Sequence, residues 1–132
     1  MLDGEQQKQA VLGPKPKNLV LGPGQDGKTI PPEGLRCAAL KEDQRATLLD
    51  LIGAWVHILP DDAAASRLAA LKAKIDETYF AWYGPTTDGS AAYYRIQGPT
   101  LLIEYAPQRG TKHIHTIIRD PTNDYGKEFT KP

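Results

Sequence analysis

The sequence has few of the features that would assign a protein class directly. Cys37 is the one cysteine among 132 residues, which excludes an internal disulfide and a cluster of thiolate metal ligands. No apolar run approaches the ~20 residues of a membrane-spanning helix, and the amino terminus lacks the basic start and apolar core of a secretory leader. The 16 basic and 16 acidic residues cancel, so net charge favours neither nucleic acid nor an anionic membrane as a partner. The cellular compartment is left open.

Glycine and proline, by contrast, are plentiful and concentrated in the amino-terminal third. Asp3 is placed to cap a short helix that runs to about Leu12, where Gly13-Pro14 stops it. Residues 13–39 then predict a long irregular arm, because repeated prolines prevent regular strand pairing.

Two helices are predicted to follow the arm. Apolar residues recur at helical spacing from Glu42 to Leu59, and Pro60 ends that helix. Asp61 or Asp62 caps the second helix, whose periodicity continues to Tyr79. The short connection predicts an antiparallel helix hairpin over residues 42–79. The starts LDGEQQ and LKEDQR resemble each other, which we attribute to shared capping chemistry and not to a repeat.

The last third changes to a strand pattern. Short segments rich in aromatic and β-branched residues are separated by turn residues and predict an antiparallel meander of three to four strands over residues 80–132: TYFAWYG, SAAYYRIQ, TLLIEYA and KHIHTII. Helices first and sheet last indicate an α+β fold, with residues 1–132 as one domain. The aromatic side chains are expected to pack across strands, although stacking on a sugar or peptide is an alternative.

The stretch GPGQDGKT, residues 22–29, matches the letters of a phosphate-binding loop. Such a loop works because its N–H groups converge on an anion at the start of a helix. Here Pro31-Pro32 and Gly34 oppose a helix, and the later elements do not predict a parallel sheet. We therefore interpret the stretch as a surface turn and expect no nucleotide cofactor.

The strongest candidate site is the His-x-His segment at the last strand. On a strand, His113 and His115 project from one face while Ile114 projects from the other. A turn at residues 106–111 would set His113 across from Glu104. Two imidazoles and a carboxylate predict an open metal site for one transition metal ion, zinc, copper or iron. The ordinary alternative is a solvent-facing or hydrogen-bonded histidine pair without metal.

Polar residues close the same strand and supply the catalytic candidates. Arg119 has the planar fork that binds an anionic substrate, and Asp120 is a rival carboxylate ligand. Alternatively, Arg119 fixes Asp120 or Asp124 in a structural turn. His57 near the end of the long helix is interpreted as a capping or surface residue, and no Ser-His-Asp or Cys-His arrangement is indicated.

These segments also resemble a known family. The blocks EQQKQAVLG, NLVLGPGQDGKTIPPEG, LLDLIGAWV, DETYFAWYGPTTDGSAAYYRIQGPTLLIEYAPQ and HIHTIIRDPTNDYG are similar to the carboxy-terminal half of the bacterial family named domain of unknown function 3500. The resemblance covers nearly the whole chain. It implies no established activity, and it implies longer relatives with an amino-terminal portion and often an export leader.

Two functional hypotheses follow. The first is a small domain that binds a metal ion or a polar ligand at His113, His115 and Glu104, with Arg119 and Asp120 nearby; as an enzyme it would use the metal to activate water or oxygen. The second is a non-catalytic interaction domain. Its aromatic sheet face would then pair with another protomer, as a homo-oligomer, or with the missing amino-terminal half. Neither hypothesis involves nucleic acid or a membrane.

Overall fold

The computed structural model describes residues 1–130, in which three helices precede most of a six-stranded mixed sheet. The helices are α1 (Gly4–Ala10), α2 (Glu42–Val56) and α3 (Asp61–Ala73). The strands are β1 (Val11–Gly13), β2 (Leu35–Arg36), β3 (Tyr79–Tyr83), β4 (Tyr93–Gly98), β5 (Leu101–Pro107) and β6 (Ile114–Arg119). Short 3-10 turns occur at Cys37–Ala39, Ile75–Glu77 and Asp124–Phe129. The prediction of an α+β fold is confirmed.

The sheet consists of the predicted meander and two short additional strands. Strands β3, β4, β5 and β6 pair antiparallel in chain order. The free edge of β3 is lined by β1, which runs parallel to it, and by β2, which runs antiparallel. Sequence patterns missed both short strands. The first helix consequently ends at Ala10 and not at Leu12, because Val11 and Gly13 pair with β3.

The helix pair is confirmed, with earlier ends than the periodicity predicts. α2 stops at Val56 instead of Leu59, with His57 as its carboxy-terminal cap. α3 stops at Ala73, and the chain passes through a 3-10 turn before β3 begins at Tyr79. The apolar spacing up to Tyr79 therefore reflects burial and not one continuous helix. Within residues 1–130, no helix combines the length and apolar character needed to cross a membrane.

The two similar helix starts meet in space. Asp3 and Gln6 form the capping box of α1, and the Gln44 side chain accepts from the Lys41 amide at the start of α2. The amides of Gln6 and Gln44 also donate to each other's oxygens at 2.9 and 2.8 Å. Both glutamines are buried. Capping chemistry therefore explains why the two helix starts resemble each other, and the reciprocal amide pair joins α1 to α2.

Different segments of the chain cover the two sides of the sheet. The helices pack on one side against an apolar core that includes Ile52, Val56, Ile96, Leu101 and Ile103. The irregular segment between β1 and β2, residues 14–34, crosses the opposite side. From here on we call this segment the arm; it is shorter than the predicted residues 13–39 because Gly13 belongs to β1 and Leu35–Arg36 forms β2. Its Leu21 is 3 % exposed, and its Leu19 packs against Ala81, Tyr83, Tyr93 and Ala106.

The arm joins β2 through a glycine that no other residue can replace without strain. Gly34 has a φ of +92°, and a Cβ placed there would lie 2.2 Å from the carbonyl oxygen of Phe80. A side chain would therefore collide with the backbone of β3. Because Gly34 has no side chain, the end of the arm packs closely against the backbone of β3.

Aromatic side chains stack across the central strands, on the side that carries the helices. Tyr94 and Tyr105 are cross-strand partners with ring centroids 5.2 Å apart and planes within 5°. Trp82 continues the stack at 6.5 Å from Tyr94, and the Trp55 indole donates to the Tyr94 hydroxyl at 3.2 Å. The rings thus fill the cross-strand packing role expected from the sequence.

Candidate functional site

The two histidines of the His-x-His segment form a close pair at the start of β6. The Nε2 atoms of His113 and His115 lie 3.0 Å apart. Their ring centroids are separated by 4.8 Å, and the ring planes meet at 67°. Both side chains are exposed. The prediction that the two imidazoles share one space is confirmed.

Glu104 does not face His113, because the register of β5 and β6 differs from the one predicted. β5 extends through Pro107, so the chain turns later than residues 106–111. Glu104 lies opposite Ile117, and His115 lies opposite Ala106. The amide of Gln108 donates to the carbonyl oxygen of His113 at 2.8 Å. The predicted position of Glu104 across from His113 is therefore wrong.

The Glu104 carboxylate instead holds the arm. Its side chain is fully buried. One oxygen accepts from the Val20 amide at 2.8 Å and from the Tyr93 hydroxyl at 2.5 Å, while the other accepts from the Leu21 amide at 2.8 Å. Burial raises the pKa of the Tyr93 phenol, and its hydrogen bond to Glu104 raises it further. The carboxylate thus satisfies two backbone donors of a segment that has no regular partners.

A buried arginine extends this set of contacts. Arg95 is the cross-strand partner of Glu104 and is 1 % exposed. Its guanidinium donates to the Tyr93 hydroxyl at 3.3 Å and to the Glu33 carboxylate of the arm at 2.7 Å. Glu33 also accepts from the Tyr83 hydroxyl at 3.0 Å. We call Glu33, Tyr83, Tyr93, Arg95 and Glu104 the arm-side network.

The charge of Glu33 is stabilised within the arm-side network. Burial raises the pKa of this carboxyl, but its hydrogen bonds to Arg95 and Tyr83 and the charges of Arg95 and Lys17 outweigh that effect and lower the pKa. Sequence patterns assigned a metal-site role only to Glu104 of these residues, and they predicted cross-strand packing for Tyr83 and Tyr93. One sequence signal could have indicated this network: Arg95 lies inside the strand pattern YYRIQ, and the next strand carries the acid Glu104.

Arg119 adopts the structural alternative. Its Nε and Nη2 atoms donate to the two carboxylate oxygens of Asp124 at 3.0 and 2.5 Å. Its Nη1 and Nη2 atoms also donate to the carbonyl oxygens of Leu21 and Gln25 at 2.7 and 3.0 Å. The hydrogen bond with Asp124 raises the pKa of Arg119, and the same bond lowers the pKa of Asp124. Arg119 therefore links the arm to the turn that follows β6.

Asp120 is also engaged within the protein. Its carboxylate lies 3.2 Å from the Arg67 guanidinium and accepts from the amide and hydroxyl of Thr122. A cavity of about 430 Å³ is bordered by the arm, by β6 and by the turn that follows β6. The residues lining it include Gly22, Pro23, Asp26, Arg119 and Asp120. The structure thus brings the predicted catalytic residues beside the phosphate-loop-like stretch, while the histidine pair does not line this cavity.

The phosphate-loop-like stretch does not form a helix start. Its Gly27 amide donates to Asp124 at 2.6 Å, and its Lys28 ammonium donates to Gln25 at 3.0 Å. Residues 29–34, where a phosphate-binding loop would begin its helix, contain no helical turn and lead into β2. The backbone amides therefore lack the convergent geometry that cradles a phosphate.

The remaining candidate groups are dispersed. His57 caps α2 and is exposed, whereas burial raises the pKa of the Cys37 thiol to about 12. Across residues 1–130, no three His, Cys, Asp or Glu side chains are arranged to hold a metal ion. The histidine pair is consequently the site at which two ligand nitrogens converge and face solvent.

Comparison with known proteins gives one match. The family model described as "Protein of unknown function (DUF3500)" matches residues 1–127. No curated protein and no solved structure matches the chain significantly. The match covers nearly all of the chain and carries no activity with it.

Proposed function

The chain belongs to the DUF3500 family, and we propose that it binds a transition metal ion through the histidine pair. The observation that carries the proposal is the separation of 3.0 Å between the Nε2 atoms of His113 and His115. Metal binding at an exposed strand end is a property that can be measured on the purified chain. Its biochemical use is a further step, which depends on what fills the remaining coordination positions.

The separation agrees with the spacing of two ligands on one ion. With metal–nitrogen bonds of about 2.0–2.1 Å, two ligands lie ~3.3 Å apart in a tetrahedral site and ~2.9 Å apart at a right angle. The observed 3.0 Å lies between these values, so one ion can bind both imidazoles with little movement. Zinc favours the tetrahedral arrangement and copper(II) the right-angled one.

Two protein nitrogens leave the other coordination positions open. An ion held in this way keeps water or accepts a small anionic ligand, and such an open coordination position is what metal-dependent catalysis uses. Arg109 and Lys112 lie in the exposed turn before the pair and supply positive charge. That charge lowers the affinity for a free cation but attracts an anionic substrate to the bound metal. Glu104 and Arg119 bind backbone groups of the arm, so we propose neither Glu104 as a metal ligand nor Arg119 as a substrate-binding residue.

A hydrogen bond between the two imidazoles explains the same distance without a metal. One neutral ring would donate its Nε2 proton, and the other would accept it. The two explanations differ in one respect that can be measured. A metal ion requires both nitrogens to be unprotonated, whereas the hydrogen bond requires a proton on one of them.

Titration calorimetry with Zn²⁺ and Cu²⁺ on the metal-free protein tests the proposal. We expect saturable binding that weakens at least ~10-fold, or about 1.4 kcal/mol, in His113→Ala and in His115→Ala. Copper adds an independent readout, because hyperfine coupling in the electron paramagnetic resonance spectrum counts the bound nitrogens. Two nitrogens are expected for the monomeric chain, and one for each single variant.

The third histidine supplies a matched control. His57 is exposed at the end of α2 and has no second imidazole beside it, so His57→Ala should leave binding unchanged. Binding that is equally strong in the wild type and in the double variant His113→Ala/His115→Ala would refute the proposal. Complete absence of binding in the wild type would favour the hydrogen-bonded pair.

A further inference from the structure

The strand that carries the histidine pair forms an edge of the sheet. β6 pairs with β5 on one side, and the sheet order ends there. The bond from the Gln108 amide to the His113 carbonyl identifies which residues face β5. Because hydrogen-bonded and non-hydrogen-bonded pairs alternate along antiparallel strands, His113, His115 and Ile117 direct their backbone groups to β5. Ile114, Thr116 and Ile118 direct theirs away from the sheet.

This edge has little of the protection that edge strands usually carry. Its sequence, IHTIIR, contains no proline, lysine or acid. Ile114, Ile117 and Ile118 are each only partly buried. Among residues 1–130, no backbone group donates to or accepts from the outward N–H and C=O groups of β6. The edge therefore offers both unpaired hydrogen-bonding groups and apolar surface to another strand.

We propose that two copies of the chain pair antiparallel through β6 and that one transition metal ion bridges the histidine pairs of both copies. This inference rests on the proposed metal site, to which residues 1–130 of one chain contribute two ligands. A second copy supplies the same two ligands again. The occupant of the edge is thus a copy of this chain, because its own β6 carries the nitrogens that the site lacks.

Strand geometry brings the four imidazoles together. A twofold axis perpendicular to the sheet keeps both histidine pairs on the same face of the extended sheet. In the register that sets Ile114 against Ile114 of the partner subunit, His113 of each copy lies opposite the partner's His115 in a non-hydrogen-bonded pair, with Cα atoms ~4.5 Å apart. Ile114 then exchanges backbone hydrogen bonds with Ile114 of the partner subunit, and Thr116 with the partner's Lys112. The four imidazoles lie on one face of the extended sheet, in two opposed pairs that are two residues, or ~7 Å, apart along the strands.

The charge of the chain permits this association. Its 16 basic and 16 acidic residues give no net charge, so two copies do not repel each other as whole molecules. Completing four nitrogen ligands also removes the open coordination positions. The paired form would therefore store or sense metal, whereas the unpaired form would keep the positions that catalysis needs.

Sedimentation velocity of the full chain, with Zn²⁺ and with a chelator, tests the inference. We expect a dimer with half a metal ion per chain in zinc, and a monomer in the chelator. The variant Thr116→Pro removes an outward N–H donor of β6. We expect it to stay monomeric while still binding one ion per chain. Thr116→Val keeps that donor and should dimerise like the wild type.

The outcomes separate this inference from the proposed function. A wild-type chain that binds one ion and stays monomeric refutes the inference and leaves the metal site intact. A chain that binds no metal refutes both. A zinc-dependent dimer that persists in Thr116→Pro means that pairing uses another surface, and this also refutes the inference. Far-ultraviolet circular dichroism of Thr116→Pro, matched to the wild type, establishes that the variant is folded.

Discussion

The two sides of the sheet are stabilised in opposite ways, and the adjacent residues Ile103 and Glu104 on β5 show the difference. Ile103 points toward the helices and packs in the apolar core. Glu104 points toward the arm, where its carboxylate accepts three hydrogen bonds. Both side chains are fully buried. One side is therefore covered by periodic elements that bring their own hydrogen bonds, and the other by a segment that needs partners for its backbone.

This difference explains why ionisable groups are buried under the arm. A helix satisfies its own interior N–H and C=O groups, so its contact with the sheet can be purely apolar. The arm has prolines and no long pairing, so its amides need acceptors from the sheet. Glu104 on the sheet accepts from two of these amides, and Arg95 on the sheet donates to the Glu33 carboxylate of the arm. The arm-side network is thus the counterpart of the apolar core on the helix side.

The largest expected effect is on the arm side, in Glu104→Ala. The Val20 amide, the Leu21 amide and the Tyr93 hydroxyl lose their acceptor together. Since each buried unpaired donor costs about 1–3 kcal/mol, we expect the free energy of unfolding to fall by about 3–6 kcal/mol. Urea unfolding followed by tryptophan fluorescence measures the loss. Limited trypsin digestion should also show faster cleavage in the arm.

A matched control for Glu104→Ala is available on the surface. Glu5 pairs with Lys8 in α1, and both side chains are largely exposed. Glu5→Ala should therefore change the free energy of unfolding by less than ~0.5 kcal/mol. If Glu104→Ala costs under about 1 kcal/mol, the carboxylate does not hold the arm, and the contrast between the two sides is lost.

The next effect is on the helix side, in Ile103→Ala. Removing this buried side chain leaves a cavity in the apolar core, and we expect a loss of about 2–4 kcal/mol by the same urea measurement. Cleavage in the arm should stay at the wild-type rate well below the unfolding transition, because no contact of the arm is removed. Ile103→Val, expected to cost ~1 kcal/mol, calibrates the series. Faster cleavage in Ile103→Ala would indicate that the two sides are coupled.

The helix side was largely predictable from sequence, and the arm side was not. Helical spacing after Glu42 and strand alternation after Tyr79 report burial against regular elements, so the α+β fold and the meander followed directly. The ends of α1, α2 and α3 were placed too late, because apolar spacing continues through turns and short strands. β1 and β2 were not predicted because a strand of two or three residues is too short to show a periodic sequence pattern.

The candidate site was predictable in part. Alternation with a period of two placed His113 and His115 together, and the structure agrees. The partner of Glu104 depended on where β5 ends, which a sequence pattern locates only within a few residues. For Arg119 the sequence left two alternatives open, which were binding of an anionic substrate and a structural pair with Asp120 or Asp124. The choice of Asp124 depended on how the arm folds back, and no local pattern contains that information.

The smallest expected effect tests whether charge, and not only hydrogen bonding, holds the arm. Glu33→Gln keeps acceptors for Arg95 and Tyr83 but removes the negative charge beside the buried guanidinium. Because the Glu33 carboxylate is 42 % exposed and screened by solvent, we expect a loss of about 1 kcal/mol or less at pH 7. Urea midpoints at several salt concentrations should show that added salt reduces the difference.

The same variant gives a pH dependence with a defined sign. The folded-state pKa of Glu33 lies below its ordinary value of 4.5, so its contribution is fully present above that value. The contribution is lost as the pH falls through the folded-state pKa. The wild type and Glu33→Gln should therefore converge in stability as the pH falls below 4.5 and through the folded-state pKa of Glu33. A difference that stays constant over this range would mean that hydrogen bonds alone hold Glu33. The arm side would then differ from the helix side in polarity and not in charge.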